Sequence, residues 1–144
     1  MPTLLLIYNT KTGNTELMAK AVEEGAKTAK GLAIILNYRA TPLQLRDADA
    51  VIIGVPTYNH HMTLDIQSLL EKAAAAEVIL EDKPAAAFGS YGWSGEAPKE
   101  VLEILQNKFK MRIIEPVVLA KYKPDQKALE DCRELGKKVA EAVL

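Results

Sequence analysis

Five short apolar runs divide the chain, and their pattern restricts its possible folds more than any other feature. They cover residues 4–8, 33–36, 50–55, 85–88 and 113–119. Polar and apolar residues do not alternate within them, so we expect each strand to be buried on both faces. Such strands are typical of parallel sheets, because parallel strands need crossover connections that cover both faces of the sheet.

Segments with a helical repeat separate these runs. Apolar residues recur at the spacing of one helix face in residues 14–30, 63–76, 97–109 and 125–143, and residues 41–47 are predicted to form a shorter helix or turn. Strand and helix thus alternate five times along the chain. This order predicts a doubly wound α/β domain, with a parallel sheet and helices on both of its faces.

The size and charge of the chain narrow the classes of function. A chain of 144 residues has the length of one ordinary domain, so we expect residues 1–144 to form a single domain. The 18 Lys and Arg residues nearly balance 19 Asp and Glu residues, which leaves no basic field for nucleic acid. No run approaches the ~20 apolar residues of a membrane span, and the opening lacks a signal-peptide pattern. We therefore expect a cytoplasmic protein without a nucleic-acid or membrane partner.

The loop after the first predicted strand has the residue types of a phosphate site. It reads Thr-Lys-Thr-Gly-Asn-Thr over residues 10–15 and leads into a helix. Backbone N–H groups at a helix N-terminus attract anions, and hydroxyl and amide side chains add neutral donors. A polar N-cap turn without a ligand has the same composition, so both interpretations stay open here. Two other phosphate motifs do not fit, because Gly13-Asn14-Thr15 lacks the lysine of a P-loop and no G-x-G-x-x-G follows the first strand.

Two further loops, after the third and fourth strands, carry aromatic residues. The second loop, residues 56–63, includes Tyr58, and the third loop, residues 89–95, includes Tyr91 and Trp93. Open α/β sheets bind their ligands at the carboxyl ends of the strands, so we expect these rings beside the first loop. Aromatic side chains on polar loops favour a planar ligand held between ring faces, although any single ring can instead pack on loop backbone.

The histidines and the single cysteine do not indicate a metal ligand or a nucleophile. His60 and His61 are adjacent and have no carboxylate at ligand spacing, and neighbouring loop residues rarely reach the same ion. Cys132 lies on the apolar face of the last predicted helix, where we expect a small buried side chain. We therefore predict no metal site and no catalytic residue.

The first loop, the alternating elements and the length resemble a short-chain flavodoxin over essentially the whole chain. Pro56-Thr57-Tyr58-Asn59 and residues 88–95 (Phe-Gly-Ser-Tyr-Gly-Trp-Ser-Gly) resemble in particular the flavodoxin domain of flavodiiron (A-type) flavoproteins. The resemblance implies a flavodoxin-like three-layer fold, with a five-stranded parallel sheet in the order 2-1-3-4-5. It also implies FMN as the cofactor, bound where the strand order reverses. We therefore expect no di-iron domain, because the length leaves no room for one.

The same resemblance assigns the contacts to FMN to three loops. The phosphate would be held by Thr10, Lys11, Thr12, Gly13, Asn14 and Thr15. One side of the isoalloxazine ring would be bordered by Pro56, Thr57, Tyr58, Asn59 and His60. The other side would be bordered by Ser90, Tyr91, Gly92, Trp93 and Gly95.

Two departures from the flavodoxin pattern concern charge and backbone. Flavodoxins are strongly acidic around the flavin, whereas the loops here contain Lys11, His60 and His61. Many flavodoxins place a glycine beside the flavin, but residues 56–63 contain none, and Asn59 is the residue of that turn that best tolerates a positive φ. We therefore expect a less negative potential for the second electron than in an acidic flavodoxin.

Three functions remain to be distinguished at this point. The leading hypothesis is an FMN-binding electron-transfer protein that works with a separate redox protein, its donor, acceptor and oligomeric state left open. The alternative is a small FMN-dependent NAD(P)H- or quinone-linked reductase, in which His60 or His61 donates a proton near the flavin. A flavin-free interaction module is the third, and it would have no use for the hydroxyl-rich loop or the aromatic residues.

Overall fold

A parallel sheet with helices on both faces organises residues 2–37 and 39–143, which are the residues that the computed structural model describes. The elements follow the chain in the order β1 Thr3–Tyr8, α1 Asn14–Ala26, β2 Ala33–Asn37, α2 Pro42–Asp47, β3 Ala50–Gly54, α3 Leu64–Ala75, β4 Pro84–Tyr91, α4 Glu96–Asn107, β5 Arg112–Ile113, β6 Val118–Lys121 and α5 Gln126–Val143. The strand order is β2-β1-β3-β4-β5, with β6 also paired to β4, and all of these pairs are parallel. The predicted α/β fold with strand order 2-1-3-4-5 is therefore confirmed.

Both faces of the central strands are buried, as the absence of alternation predicts. In β1, Leu5 and Ile7 belong to a core that also contains residues of α3 and α4. Leu4 and Leu6 point to the other face, where they join a core with residues of α1 and α5. The edge strand β2 is less enclosed, and Ile35 in its middle is 42% exposed.

The fifth predicted strand is interrupted, which corrects the prediction of one run over residues 113–119. β5 pairs with the beginning of β4, and β6 pairs with its end. Pro116 lies in the gap between them and has no backbone N–H to donate to the neighbouring strand. The missing donor at Pro116 disfavours pairing there, and β5 ends at Ile113 while β6 begins only at Val118.

The fourth strand is longer than predicted, because its apolar run stops at Phe88 but the strand continues to Tyr91. The extension is paired, since Phe88 to Tyr91 lie opposite Val118 to Lys121 of β6. On its other side Phe88 lies opposite Gly54 of β3, and a Cβ atom at Gly54 would collide with the Phe88 ring.

The ends of the helices are set by local hydrogen bonds. Residues 14–30 were predicted as one helix, but α1 ends at Ala26, and the Thr28 hydroxyl donates to the Gly25 carbonyl (2.7 Å) just beyond this end. The segment 41–47 forms a helix with a capping box between Thr41 and Gln44. Among the described helices, none combines the length and apolar character needed to cross a membrane.

The helices α1 and α5 cross closely, and two glycines make this contact possible. A Cβ atom at Gly25 would collide with the carbonyl oxygen of Arg133, and one at Gly136 would collide with that of Val22. Cys132 is buried in the same contact, as the apolar face of α5 predicts. Burial raises the pKa of its thiol to about 12, so the thiolate is scarce at neutral pH.

We expect Gly136→Ala to lower the free energy of unfolding by about 1–3 kcal/mol, because the new methyl group forces two backbones apart. Urea denaturation of the FMN-free protein measures this change. Glu141→Ala, at an exposed position of the same helix, is the matched control and should change stability by no more than about 0.5 kcal/mol. Equal stability of the Gly136→Ala variant and the original protein would contradict the close crossing.

Candidate functional site

The loop after β1 presents an open helix N-terminus. The Thr10 hydroxyl accepts a hydrogen bond from the Gly13 N–H (3.0 Å), and Gly13 has a φ of +89°. Gly13 is the N-cap of α1, no side chain caps the helix, and the first intrahelical bond runs from the Leu17 N–H to the Gly13 carbonyl. The first N–H groups of α1 therefore have no helical acceptor, and the dipole adds partial positive charge there.

A buried hydroxyl pair connects this loop to β4. Thr15 and Ser90, which are 1% and 6% exposed, bring their hydroxyl oxygens to 2.8 Å from each other. Both residues were predicted to contact FMN, and the structure shows each hydroxyl engaged with the other. The contact fixes the beginning of α1 against the neighbouring strand.

The loop after β3 forms a tight turn of residues 58–61, called the 58–61 turn below. Tyr58 and His61 exchange two backbone hydrogen bonds, of 3.2 and 3.0 Å. Both central residues have positive φ, 50° at Asn59 and 68° at His60, as in a type I′ turn. The sequence pattern indicated Asn59 for this conformation but not His60.

Contacts on each side hold the second loop in place. Before the turn, the buried Thr57 hydroxyl accepts a hydrogen bond from the Ala97 N–H (3.0 Å) at the beginning of α4. At the turn, the Lys11 ammonium group lies 4.7 Å from the centre of the Tyr58 ring. This is a cation–π contact, and it brings the positive charge of the first loop against the second.

The three loops meet around a cavity of about 210 Å³ at the carboxyl ends of the strands. Its wall contains residues of every predicted loop together with one residue after β6: Thr12, Asn14, Pro56, Thr57, Tyr58, Ser90, Tyr91, Gly92 and Tyr122. A second depression, of about 350 Å³, shares Tyr91 and is lined also by Trp93, Gly95, Glu96 and Lys99. Two spaces with aromatic residues in their walls therefore adjoin each other at the carboxyl ends of the strands.

Trp93 and His60 lie at the rim of the site. Trp93 is 90% exposed, and its ring and the His60 ring meet in a T-shaped arrangement with a centroid distance of 6.4 Å. Neither residue lines the 210 Å³ cavity, and neither does Asn59. Their predicted contacts with FMN remain a prediction.

Sequence reasoning missed Tyr122. This residue follows β6, has a φ of +58° and donates its N–H to the Tyr91 carbonyl (2.7 Å). A Cβ atom at Gly92 would lie 3.2 Å from the Tyr122 ring, so the absence of a side chain at Gly92 makes room for that ring. The rule that ligands bind at the carboxyl ends of strands could have identified it, had the end of the fifth strand been placed correctly.

The residues of this site fit FMN in two respects. A phosphate group suits the uncapped start of α1, where Gly13 leaves open space and the Thr12 and Asn14 side chains reach the cavity. A planar ring suits the space between Tyr58 on one wall and Tyr91 and Tyr122 on the other.

Comparisons with curated proteins relate the chain to larger flavoproteins. It is 35% identical to the type A flavoprotein fprA of Rhodobacter capsulatus, over 96% of this chain and 33% of that protein. It is 34% identical to the anaerobic nitric oxide reductase flavorubredoxin of Escherichia coli, over 95% of this chain and 29% of that protein. The chain thus spans about a third of the length of the curated relatives it matches.

Comparisons with solved structures and family models agree on the fold. A flavodoxin from the domain Archaea superposes with a TM-score of 0.88 at 32% identity, covering 98% of both chains. The flavodiiron protein of Giardia intestinalis superposes with a TM-score of 0.87 at 22% identity, over 98% of this chain and 36% of that one. A family model described as Flavodoxin matches residues 6–136. The chain therefore belongs to the flavodoxin family, and FMN is its cofactor.

Proposed function

We propose that this protein is an electron carrier that uses FMN to pass electrons between separate redox proteins. The observation that carries the proposal is the uncapped N-terminus of α1 beside a cavity walled by Tyr58, Tyr91 and Tyr122. A phosphate and a planar ring need these two features side by side, and an interaction module without a ligand needs neither.

The residues of the three loops bind and orient the cofactor. The N–H groups of the first turn of α1, with Thr12 and Asn14, would hold the phosphate, while Tyr58 and Tyr91 would flank the ring. FMN supplies the redox chemistry when bound, so no side chain has to act as an acid or a base. The positive Lys11 beside Tyr58 would favour uptake of negative charge.

The partner protein would approach the rim of the cavity. Large apolar side chains are exposed there or nearby, with Trp93 at 90%, Tyr122 at 63%, and Leu64 just after the second loop at 79%. Exposed apolar groups around a cofactor site are typical of a docking surface. The matched relatives are about three times as long as this chain, and the partner that we propose is a separate redox protein. We propose that the protein acts in the cytoplasm.

The direct test is to add FMN to the purified protein and remove the excess. We expect retained absorbance near ~450 nm and quenched flavin fluorescence, because the ring stacks on tyrosine. An electron carrier then shows no steady-state turnover of NAD(P)H with a quinone unless a reductase is added. Turnover without a reductase would support the enzyme alternative. A protein that stays colourless, and whose melting temperature does not rise when FMN is added, would support the flavin-free module.

The phosphate site can be tested with a matched pair of glycines. Gly13 and Gly31 both have positive φ, +89° and +82°, and both have open space where a Cβ would lie, but only Gly13 begins α1. Each change to alanine should cost about 1 kcal/mol of stability. We expect only Gly13→Ala to raise the dissociation constant of FMN, by about tenfold or more, because the rearranged loop moves the N–H donors.

Riboflavin, which lacks the phosphate, provides the control for this pair. Its affinity should fall much less in the Gly13→Ala variant than the affinity of FMN. Equal losses of FMN affinity in Gly13→Ala and Gly31→Ala, measured by fluorescence quenching, would argue against a phosphate at α1.

The charge of Lys11 should raise the reduction potential of bound FMN. Lys11→Gln removes this positive charge and should make the midpoint potential more negative by a few tens of millivolts. Lys138→Gln is the control. Lys138 lies on α5, which runs toward the amino ends of the strands, where Val143 and Pro2 line the same depression. Redox titration measures both variants, and equal potentials in the two would show that Lys11 does not act on the flavin.

A further inference from the structure

The 58–61 turn has a backbone conformation that is uncommon for two consecutive residues other than glycine. Asn59 and His60 are both in the left-handed region, which non-glycine residues occupy uncommonly. Asparagine tolerates this region better than most residues, and histidine is the less expected of the two at a consecutive position. Contacts from outside the turn would therefore add to its own two backbone hydrogen bonds in keeping this shape.

Two glutamates of α4 supply these contacts. His60 Nδ1 lies 2.6 Å from Glu96 Oε2, and His61 Nδ1 lies 3.1 Å from Glu100 Oε2. Glu96 and Glu100 are four residues apart on the helix and so lie on one face. Both histidines of the turn are thus paired with consecutive turns of a single helix.

Glu100 also holds the backbone where the chain leaves the turn. Its Oε1 accepts a hydrogen bond from the Met62 N–H (3.1 Å), while its Oε2 takes the His61 ring. Together with the bond between Thr57 and Ala97 on the other side of the turn, this ties both ends of residues 57–62 to the first turns of α4.

The electrostatic setting keeps Glu96 ionised. Glu96 is the first residue of α4, where the helix dipole favours negative charge. The nearby Ser94 hydroxyl and then His60 hold the pKa of its carboxyl below the ordinary value. Its second oxygen, Oε1, is buried and accepts no hydrogen bond from the described residues. Ser94 and His60 are therefore both partners of this charge, and the Ser94 hydroxyl also lies 3.0 Å from His60 Nδ1.

Other charged groups around the turn come from three elements. Lys11 of the first loop reaches the Tyr58 ring. The groove between α3 and α4, which His61 lines, also contains Glu71, Glu100 and Lys108. In the described part of the chain, Glu96 and Glu100 are the carboxylates that touch the two imidazole rings.

We propose that Glu96 and Glu100 are positioning residues that hold the 58–61 turn, and with it the Tyr58 wall of the cavity, most firmly when His60 and His61 are protonated. An imidazolium donates a charge-assisted hydrogen bond to a carboxylate. A neutral imidazole can still donate an N–H to the carboxylate, but this hydrogen bond is weaker because the ring carries no charge. The hold is thus strongest when the imidazole rings carry a proton and the carboxylates are ionised, and it weakens when the rings lose that proton. The effect on FMN rests on the proposed function.

The test compares FMN dissociation constants at pH 6.0 and pH 8.5. The variant Glu96→Gln/Glu100→Gln keeps the size of each side chain and one acceptor oxygen, removes the charge, and replaces the second oxygen with an NH2 group. We expect the ratio of its dissociation constant to that of the original protein to be about threefold larger at pH 6.0 than at pH 8.5. Using this ratio cancels the titration of the FMN phosphate itself, which is common to both proteins.

Glu103→Gln is the matched control for charge. Glu103 is on the same helix, exposed, and makes none of these contacts, so its ratio should be the same at both pH values. A pH-independent ratio in Glu96→Gln/Glu100→Gln, with FMN still bound, would overturn the positioning role and leave the FMN proposal intact.

A readout without FMN separates the two proposals. In the apo protein at pH 6.0, hydrogen exchange of the Tyr58, His61 and Met62 amides reports on the bonds of the turn. We expect their protection factors to fall about threefold or more in Glu96→Gln/Glu100→Gln and to stay unchanged in Glu103→Gln. Unchanged protection in both variants would refute the positioning role of Glu96 and Glu100, whether or not FMN binds. Failure of the original protein to bind FMN would refute only the proposed function.

Discussion

Parallel pairing on both sides of β1 is the constraint on which the rest of this structure depends. Parallel neighbours must be joined by crossovers, so helices cover both faces of the sheet and both faces are apolar. The same pairing brings the carboxyl ends of β1, β3, β4 and β6 to one edge, where the loops that follow them meet. Two buried hydroxyls, of Thr15 and Thr57, then join these loops to β4 and α4. The sheet therefore supports the loops of the site from beneath.

The features that could be predicted from the sequence are those encoded by local patterns. The apolar runs and helical repeats indicate the strands, the helices and their order, and the first loop carries its glycine and hydroxyls within six residues. The parts that were not predicted depend on neighbours distant in the chain. β4 extends to Tyr91 only because β6 pairs with it, and Tyr122 reaches the cavity only through that pairing. His61 and Glu100 are 39 residues apart, and only the packing of α4 brings them together.

The charge around the site distinguishes this chain from an acidic flavodoxin. Lys11 lies against Tyr58, and each histidine of the second loop has a carboxylate beside it. The acidic residues nearest the turn are therefore engaged by imidazole rings, and the lysine has an aromatic face as its partner. An arrangement of this kind lowers the local negative field without giving the protein a net positive charge, since its overall charge is −1.

The contact between Gly54 and Phe88 has a consequence for how this chain can vary. The Phe88 ring occupies the space that a side chain at position 54 would need, one strand away and directly opposite in register. A larger residue at position 54 requires a smaller one at position 88, and a smaller residue at position 88 alone leaves a void between two strands. The side chains at positions 54 and 88 therefore share one space. In homologous chains, we expect a larger residue at one of these positions to accompany a smaller residue at the other.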